Sequence, residues 1–191
     1  MDAKESRNLG KVLNFELGKK RFVKVSFKEM KKYSEDLATE ILKRYGPPDV
    51  IVYAQRGGML IARLLSDALN VRNLVCISAM YYSKSNTRYA SVKTGGVPKI
   101  DAKSYILVVD DIADTGKTLK TLCSGIRSKS RSKVITCTFG MKPQSVIKPD
   151  LCDFRVSNDT WVIFEYEEFE TTRNFSQTGN EAGLRFIKQN F

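Results

Sequence analysis

The chain has 191 residues, 42% hydrophobic and 28% charged, with 32 Lys and Arg against 21 Asp and Glu for a formal net charge of +11. This composition is globular rather than disordered, and the length suits one domain that buries a core without covalent staples. Histidine is absent, which removes Ser-His-Asp triads, Cys-His nucleophiles, His-ligated zinc and imidazole acid–base pairs.

Residues 1–20 are basic and weakly patterned, with Leu13, Phe15 and Leu17 alternating as in a short strand. Val23, Val25 and Phe27 alternate more clearly, so 21–27 is predicted as a strand with one buried face. Met30, Tyr33, Leu37, Ile41 and Tyr45 recur at helical spacing, and Gly46-Pro47-Pro48 stops that helix. Asp49–Ala54 is a short apolar run, predicted as a buried strand. Gln55-Arg56-Gly57-Gly58 then turns into an apolar-periodic helix over 59–70, and Leu74–Ala79 is the next strand. Residues 80–103 are polar, carry Gly95-Gly96 and Pro98, and predict a long loop of the kind that is usually functional or mobile. Tyr105–Val109 is a strongly apolar strand, followed by Asp110-Asp111, a loop, and a helix over about 117–129. Strands follow at Lys133–Phe139, Cys152–Val156 and Trp161–Phe164, and a C-terminal helix presents Leu184, Ile187 and Phe191 on one face.

Strands alternating with helices, several apolar throughout, predict an α/β fold with a central, mainly parallel sheet covered by helices on both faces. Ligands of such sheets bind beyond the carboxyl ends of the strands. The segments to read for chemistry are therefore Gln55–Gly58, Asp110–Thr118 and Lys142-Pro143. Cys76, Cys123, Cys137 and Cys152 form no CxxC pair, so reduced thiols are expected. Met1–Lys11 lacks the apolar core of a secretory signal, and no apolar run approaches the roughly 18 residues of a membrane span. These features predict a soluble, cytoplasmic protein without a membrane partner. The positive charge suits an anionic partner, phosphate or nucleic acid.

Asp110-Asp111-Ile112-Ala113-Asp114-Thr115-Gly116-Lys117-Thr118 is the most informative string. Two adjacent carboxylates repel unless cations or hydroxyls meet them. The hydroxyls, glycine and lysine that follow lead into a helix start, where backbone N–H groups attract phosphate. Carboxylates beside an anion cradle describe a site for a sugar phosphate with a metal ion. Gly116-Lys117-Thr118 is not the end of a Walker A loop, because the required glycine five residues before Gly116 is Asp111. A strand end and a helix cap account for two or three of these residues, but not for the whole string.

VVDDIADTGKTL resembles the phosphoribosyl pyrophosphate signature of the type I phosphoribosyltransferases. That resemblance implies that Asp110 and Asp111 meet the ribose hydroxyls directly or through Mg²⁺, and that Asp114, Thr115, Gly116, Lys117 and Thr118 hold the 5′-phosphate. Gln55-Arg56-Gly57-Gly58 is similar to the family's pyrophosphate loop, making Arg56, Gly57 and Gly58 pyrophosphate ligands. The 80–98 loop corresponds to the family's flexible loop, with Ser83, Lys84 or Ser85 as its pyrophosphate contact. Met141-Lys142-Pro143 and Asn158–Phe164 resemble the 6-oxopurine branch, most of all the xanthine-guanine type. By that likeness Lys142 donates to the purine O6, Trp161 stacks on the base, the Val162 carbonyl meets its exocyclic edge, and Asp114 is the general base near N7. A lysine has donors only, which suits an oxo group and not an amino group.

The resemblance implies a single domain over 1–191, with a core of about 28–140 and a small hood from the N-terminal segment and about 141–180. It implies Mg²⁺ as cofactor, with Asp111 and Glu167 as metal contacts, and a homodimer or homotetramer. The segment after Trp161 departs from the family pattern: the relatives run into Pro-Trp and an acid, whereas here Glu165-Tyr166-Glu167 stands. An extra carboxylate near the base suits an amino group, so adenine transfer stays an alternative. A phosphoribosyl-pyrophosphate-sensing nucleic-acid regulator is the other. The basic run Arg127–Lys133 lacks interleaved aromatics and is read as a solvated helix end, so nucleic acid is not the expected partner.

Overall fold

The computed structural model describes residues 15–17, 20–78, 82–84, 87–89 and 104–191. In chain order the elements are β1 (Phe15–Leu17), β2 (Lys20–Val25), α1 (Phe27–Tyr45), β3 (Val50–Gln55), α2 (Gly58–Ala68) and β4 (Leu74–Ser78). There follow β5 (Tyr82–Lys84), β6 (Thr87–Tyr89), β7 (Tyr105–Ala113), α3 (Lys117–Arg127), β8 (Lys133–Met141), β9 (Leu151–Arg155) and β10 (Thr160–Phe164). A 3-10 turn (Glu165–Glu167), α4 (Glu168–Gln177) and α5 (Glu181–Asn190) close the chain.

Five strands form a wholly parallel sheet in the order β4-β3-β7-β8-β9. Alternate residues of β7 serve opposite faces, as the strand period of two requires. Leu107 and Val109 pack with Met30, Leu37 and Ile41 of α1 and Ile61 and Leu65 of α2. Ile106 and Val108 pack with Leu119, Leu122 and Ile126 of α3. Both faces are thus covered, which explains why β3 and β7 read as continuous apolar runs.

α1 starts where Ser26 forms a capping box: its hydroxyl accepts from Glu29 N, and the Glu29 carboxylate accepts from Ser26 N at 2.7 Å. α1 stops at Gly46, whose φ of +79° suits glycine, just before Pro47-Pro48. α3 ends at Arg127, and the rest of the basic 127–133 run forms a turn and the first residue of β8.

A second sheet, β1-β2-β10, lies apart, with β10 parallel to β2. It closes on α4 and α5 through Phe22, Ile163, Phe175, Phe186 and Ile187. Phe22 stacks on Phe186 at 5.5 Å and meets Phe175 edge-on at 5.8 Å. Burying each such ring contributes about 2–3 kcal/mol, enough to hold this hood as a satellite core.

Three expectations change. β9 falls within the 141–180 stretch assigned to the hood, yet it pairs with β8 at the edge of the main sheet. Asp110 and Asp111 lie inside β7 rather than beyond its end, because β8 continues alongside them, with Asp110 opposite Thr138 and Ala113 opposite Met141; this pairing overrides the low strand propensity of Asp. The 80–103 stretch read as a loop contains an antiparallel β5–β6 ribbon, with Ser83 opposite Arg88; Ser85 and 90–103 lie outside the described residues. All four cysteines are free thiols, and no helix among the described residues is long and apolar enough to cross a membrane.

Candidate active site

The strand order places the site. From β3 the chain crosses to β4 on one side, then returns to β7, β8 and β9 on the other. The crevice between the carboxyl ends of β3 and β7 is therefore the topological switch point, where ligands of parallel sheets bind. β3 delivers Gln55–Gly58 to it and β7 delivers Asp110–Thr118. A cavity of about 250 Å³ opens there, lined by Gly57, Asp110, Asp111, Asp114, Gly116 and Thr118 among others. Thr115 lines it too, whereas Lys117 stands exposed on the first turn of α3.

Gly116 has φ +69° and stands at the N-cap of α3, a backbone that disfavours any side chain. A Cβ there would also strike Ser145 Oγ and come within 2.9 Å of Ile147 Cγ2. The cradle is braced by that 142–147 segment: Val146 N donates to Thr115 O at 3.0 Å and Lys142 N to Ala113 O at 3.1 Å. The first turn of α3 therefore starts beside the cavity on a braced support, and N–H groups at a helix start of this kind attract anions.

Asp110 and Asp111 are each only 9% exposed. Burial, reinforced by the Asp111 charge, pushes the Asp110 carboxyl well above the usual carboxylate range. Burial also raises Asp111, while the Tyr166 hydroxyl and Ile112 N oppose the rise. Such groups need a cation or hydroxyls to meet them.

The pyrophosphate-type loop packs directly on these acids. A Cβ on Gly57 would stand 2.5 Å from Asp111 Oδ2, and one on Gly58 would stand 2.8 Å from Val109 O. Only glycines allow that approach. Arg56 leans away toward the hood, where one guanidinium nitrogen donates to both carboxylate oxygens of Glu170 at 2.5 and 2.6 Å. A second cavity, about 650 Å³, lies beside the first and is lined by Arg56, Gly57, Tyr166, Glu167 and Glu170 among others. Burial and the Asp111 charge raise the Glu167 carboxyl to about 7.

Lys142 and Asp114, assigned separate duties from the sequence, are in direct contact. Lys142 Nζ donates to Asp114 Oδ2 at 2.9 Å, with side-chain exposures of 9% and 46%. The Gln144 amide donates to Asp114 Oδ1. Gln144 N donates to Asn158 Oδ1 at 3.1 Å, bringing the turn before β10 against this pair. Three residues on, Trp161 is 39% exposed, with its ring edge-on to Phe175 at 5.3 Å. Val162 is buried beside it on β10, opposite Val23. Trp161 and Val162 lie outside both cavities.

Glu165, the departure from the family pattern, is engaged elsewhere. Its carboxylate accepts from Phe27 N at 2.7 Å and pairs with Lys24 at 3.3 Å. The Phe27 N–H and Lys24 together hold it below the usual carboxylate range. It caps α1 and ties the hood to the core, so its charge is not set against the base.

Sequence reasoning missed Tyr166, Glu170 and Gln144. Tyr166 donates to Asp111 Oδ2 at 2.7 Å, and burial together with Asp111 holds its phenol protonated well above the usual range. The only signal for it was an aromatic persisting where the resembled family has Trp. Glu170 and Gln144 carry none, since their roles come from contacts between distant segments.

Hard oxygen donors of this kind suit Mg²⁺. Among the described residues no cluster of three or more His, Cys, Asp or Glu side chains is arranged to hold a metal ion. Mg²⁺ usually keeps several waters and is held by one or two carboxylates together with substrate phosphates. Asp111 and Glu167 are carboxylates of that kind.

A switch-point crevice with buried acids, a helix start bent by a glycine and a glycine loop pressed onto those acids suits a phosphoribosyl-handling α/β protein. The phosphoribosyl transferase domain model matches residues 26–170, and the chain belongs to that family. It is 27% identical over 143 residues to the xanthine-guanine phosphoribosyltransferase of Idiomarina loihiensis, covering 75% of this chain and 85% of the relative. The purine phosphoribosyltransferase of Pyrococcus horikoshii superposes with a TM-score of 0.66 at 25% identity, covering 76% of this chain and 93% of that one. The Helicobacter pylori xanthine-guanine-hypoxanthine enzyme has the same fold, with a TM-score of 0.66 at 24% identity over 82% of this chain and 97% of that one.

Proposed function

We propose that the chain transfers the 5-phosphoribosyl group of phosphoribosyl pyrophosphate to N9 of a 6-oxopurine, hypoxanthine or guanine and by extension xanthine, in purine salvage. The observation that carries this is the buried Lys142 ammonium on Asp114 at the head of the 110–118 cradle. Such a donor at the base end selects an oxo group. The naming of the relatives supports the same substrate class.

The 5′-phosphate sits on the amides of 115–118, and Asp110 and Asp111 take the ribose hydroxyls. N9 forms its bond to the anomeric carbon as the bond to the pyrophosphate oxygen breaks. The N7 proton passes to Asp114. Lys142 turns from Asp114 to O6, and Trp161 stacks on the ring. Arg56 and the Gly57–Gly58 loop receive the pyrophosphate. The exposed Arg56–Glu170 pair is worth at most about 1 kcal/mol, so it yields to a multiply charged ligand. Asp111 and Glu167 would hold Mg²⁺ together with the substrate, and the bound ion would supply neutralisation of the leaving charge.

The test is pyrophosphate release from phosphoribosyl pyrophosphate and Mg²⁺ with each base supplied singly. Release with hypoxanthine or guanine is expected. Release with adenine alone would keep the cradle and overturn the reading of Lys142.

A further inference from the structure

The hood reaches the floor of the cradle through one hydroxyl. Tyr166 stands in the 3-10 turn after β10. Its ring stacks on Phe164 with centroids 5.6 Å apart and planes at 10°. Its O–H donates to Asp111 Oδ2 at 2.7 Å and lies 3.3 Å from Gly57 O. The other oxygen, Oδ1, accepts from Ile112 N at 2.6 Å. The Asp111 carboxylate is therefore gripped at both oxygens, once by its own strand and once by the hood. The turn before α2, the end of β7 and the turn after β10 thus meet at three touching residues.

We propose that Tyr166 is a positioning residue: its hydroxyl locks the Asp111 carboxylate against the Gly57 loop, so that phosphoribosyl pyrophosphate meets both in a preset arrangement. This inference rests on the function proposed above. The ring alone does not account for the residue, since stacking on Phe164 needs no hydroxyl. The bond to a carboxylate is charge-assisted and stronger than a neutral one. Without it Asp111 regains rotamer freedom, and ordering that side chain then opposes substrate binding. Tyr166 bonds to Asp111 and not to the base-side pair Lys142–Asp114, so the consequence falls on one substrate. Binding that is uniform between ground and transition state appears in KM and not in kcat.

Tyr166→Phe keeps the ring and removes the hydroxyl. The KM for phosphoribosyl pyrophosphate is expected to rise about tenfold or more. The kcat, and the KM for the purine, should stay within about threefold. In an Asp111→Asn background the same substitution should add less than about threefold, because its charged partner is gone. Thermal unfolding of each variant accompanies the kinetics. An unchanged KM for phosphoribosyl pyrophosphate in an otherwise active protein overturns the proposal. So does an equal rise in both KM values together with a lower unfolding midpoint, which marks a packing role. A wild-type protein that releases no pyrophosphate with any base sinks the underlying function instead, and this inference with it.

Discussion

Removing Lys142 and removing Asp114 break the same ion pair, yet the two changes should have opposite characters. The ammonium is 9% exposed and the carboxylate 46%, at 2.9 Å. In Lys142→Met the desolvated cation disappears, and Asp114 regains water while keeping its Gln144 partner. Replacing a buried charge by an apolar side chain of similar shape is near neutral, so stability should change by less than about 1 kcal/mol. In Asp114→Ala the ammonium stays buried without its anion. A fully enclosed pair would cost about 3–5 kcal/mol on such a change; the half-exposed carboxylate lowers this to about 2. Urea unfolding of the two variants and their double mutant measures the difference. For activity, Lys142→Met loses a charged hydrogen bond to O6 worth about 1.5–3 kcal/mol, roughly 10- to 150-fold in kcat/KM for hypoxanthine and guanine. The reasoning is refuted if Asp114→Ala is as stable as Lys142→Met, or if Lys142→Met leaves hypoxanthine kcat/KM within about threefold of wild type.

Three further outcomes follow from the same geometry. Trp161→Ala should cost about 1–3 kcal/mol of base binding, read as a higher purine KM with the phosphoribosyl pyrophosphate KM kept; a change confined to the other substrate would contradict the stacking role. Gly116→Ala combines positive φ with contacts to Ser145 and Ile147, so it should lower stability by about 1–3 kcal/mol and weaken phosphoribosyl pyrophosphate binding, as calorimetry would register. Glu167 titrates near 7 in the fold against 4.5 ordinarily. A raised acid stabilises the fold only while protonated, so its contribution is full below about 4.5 and lost as pH rises toward 7. The shift corresponds to about 3 kcal/mol, so Glu167→Gln should flatten the metal-free stability profile between about pH 4.5 and 7 relative to wild type, and parallel profiles would count against the burial argument.

The strands and helices of the main sheet were legible because their burial leaves local patterns. Met30, Tyr33, Leu37 and Ile41 mark one face of α1, and YILVV marks a strand covered on both sides. α4 escaped notice because only Thr171 and Phe175 of its ten residues are buried and Phe169 stays 75% exposed; so narrow a stripe leaves little periodicity to detect.

The string Asp110–Thr118 by itself pointed to the family and to the strand–helix junction where its candidate site lies, since acids, hydroxyls, glycine and a helix start must be contiguous to build a cradle there. Only the tertiary structure decided how those residues are held. β8 carries β7 on through both acids, Lys142 rests on Asp114 from 28 residues away, and Tyr166 reaches Asp111 across 55. Glu165, ambiguous in sequence, caps α1 because the hood lies over the start of that helix. Each of these is a bond between segments whose approach is set by packing, and packing between distant segments leaves no spacing for a linear reading to find.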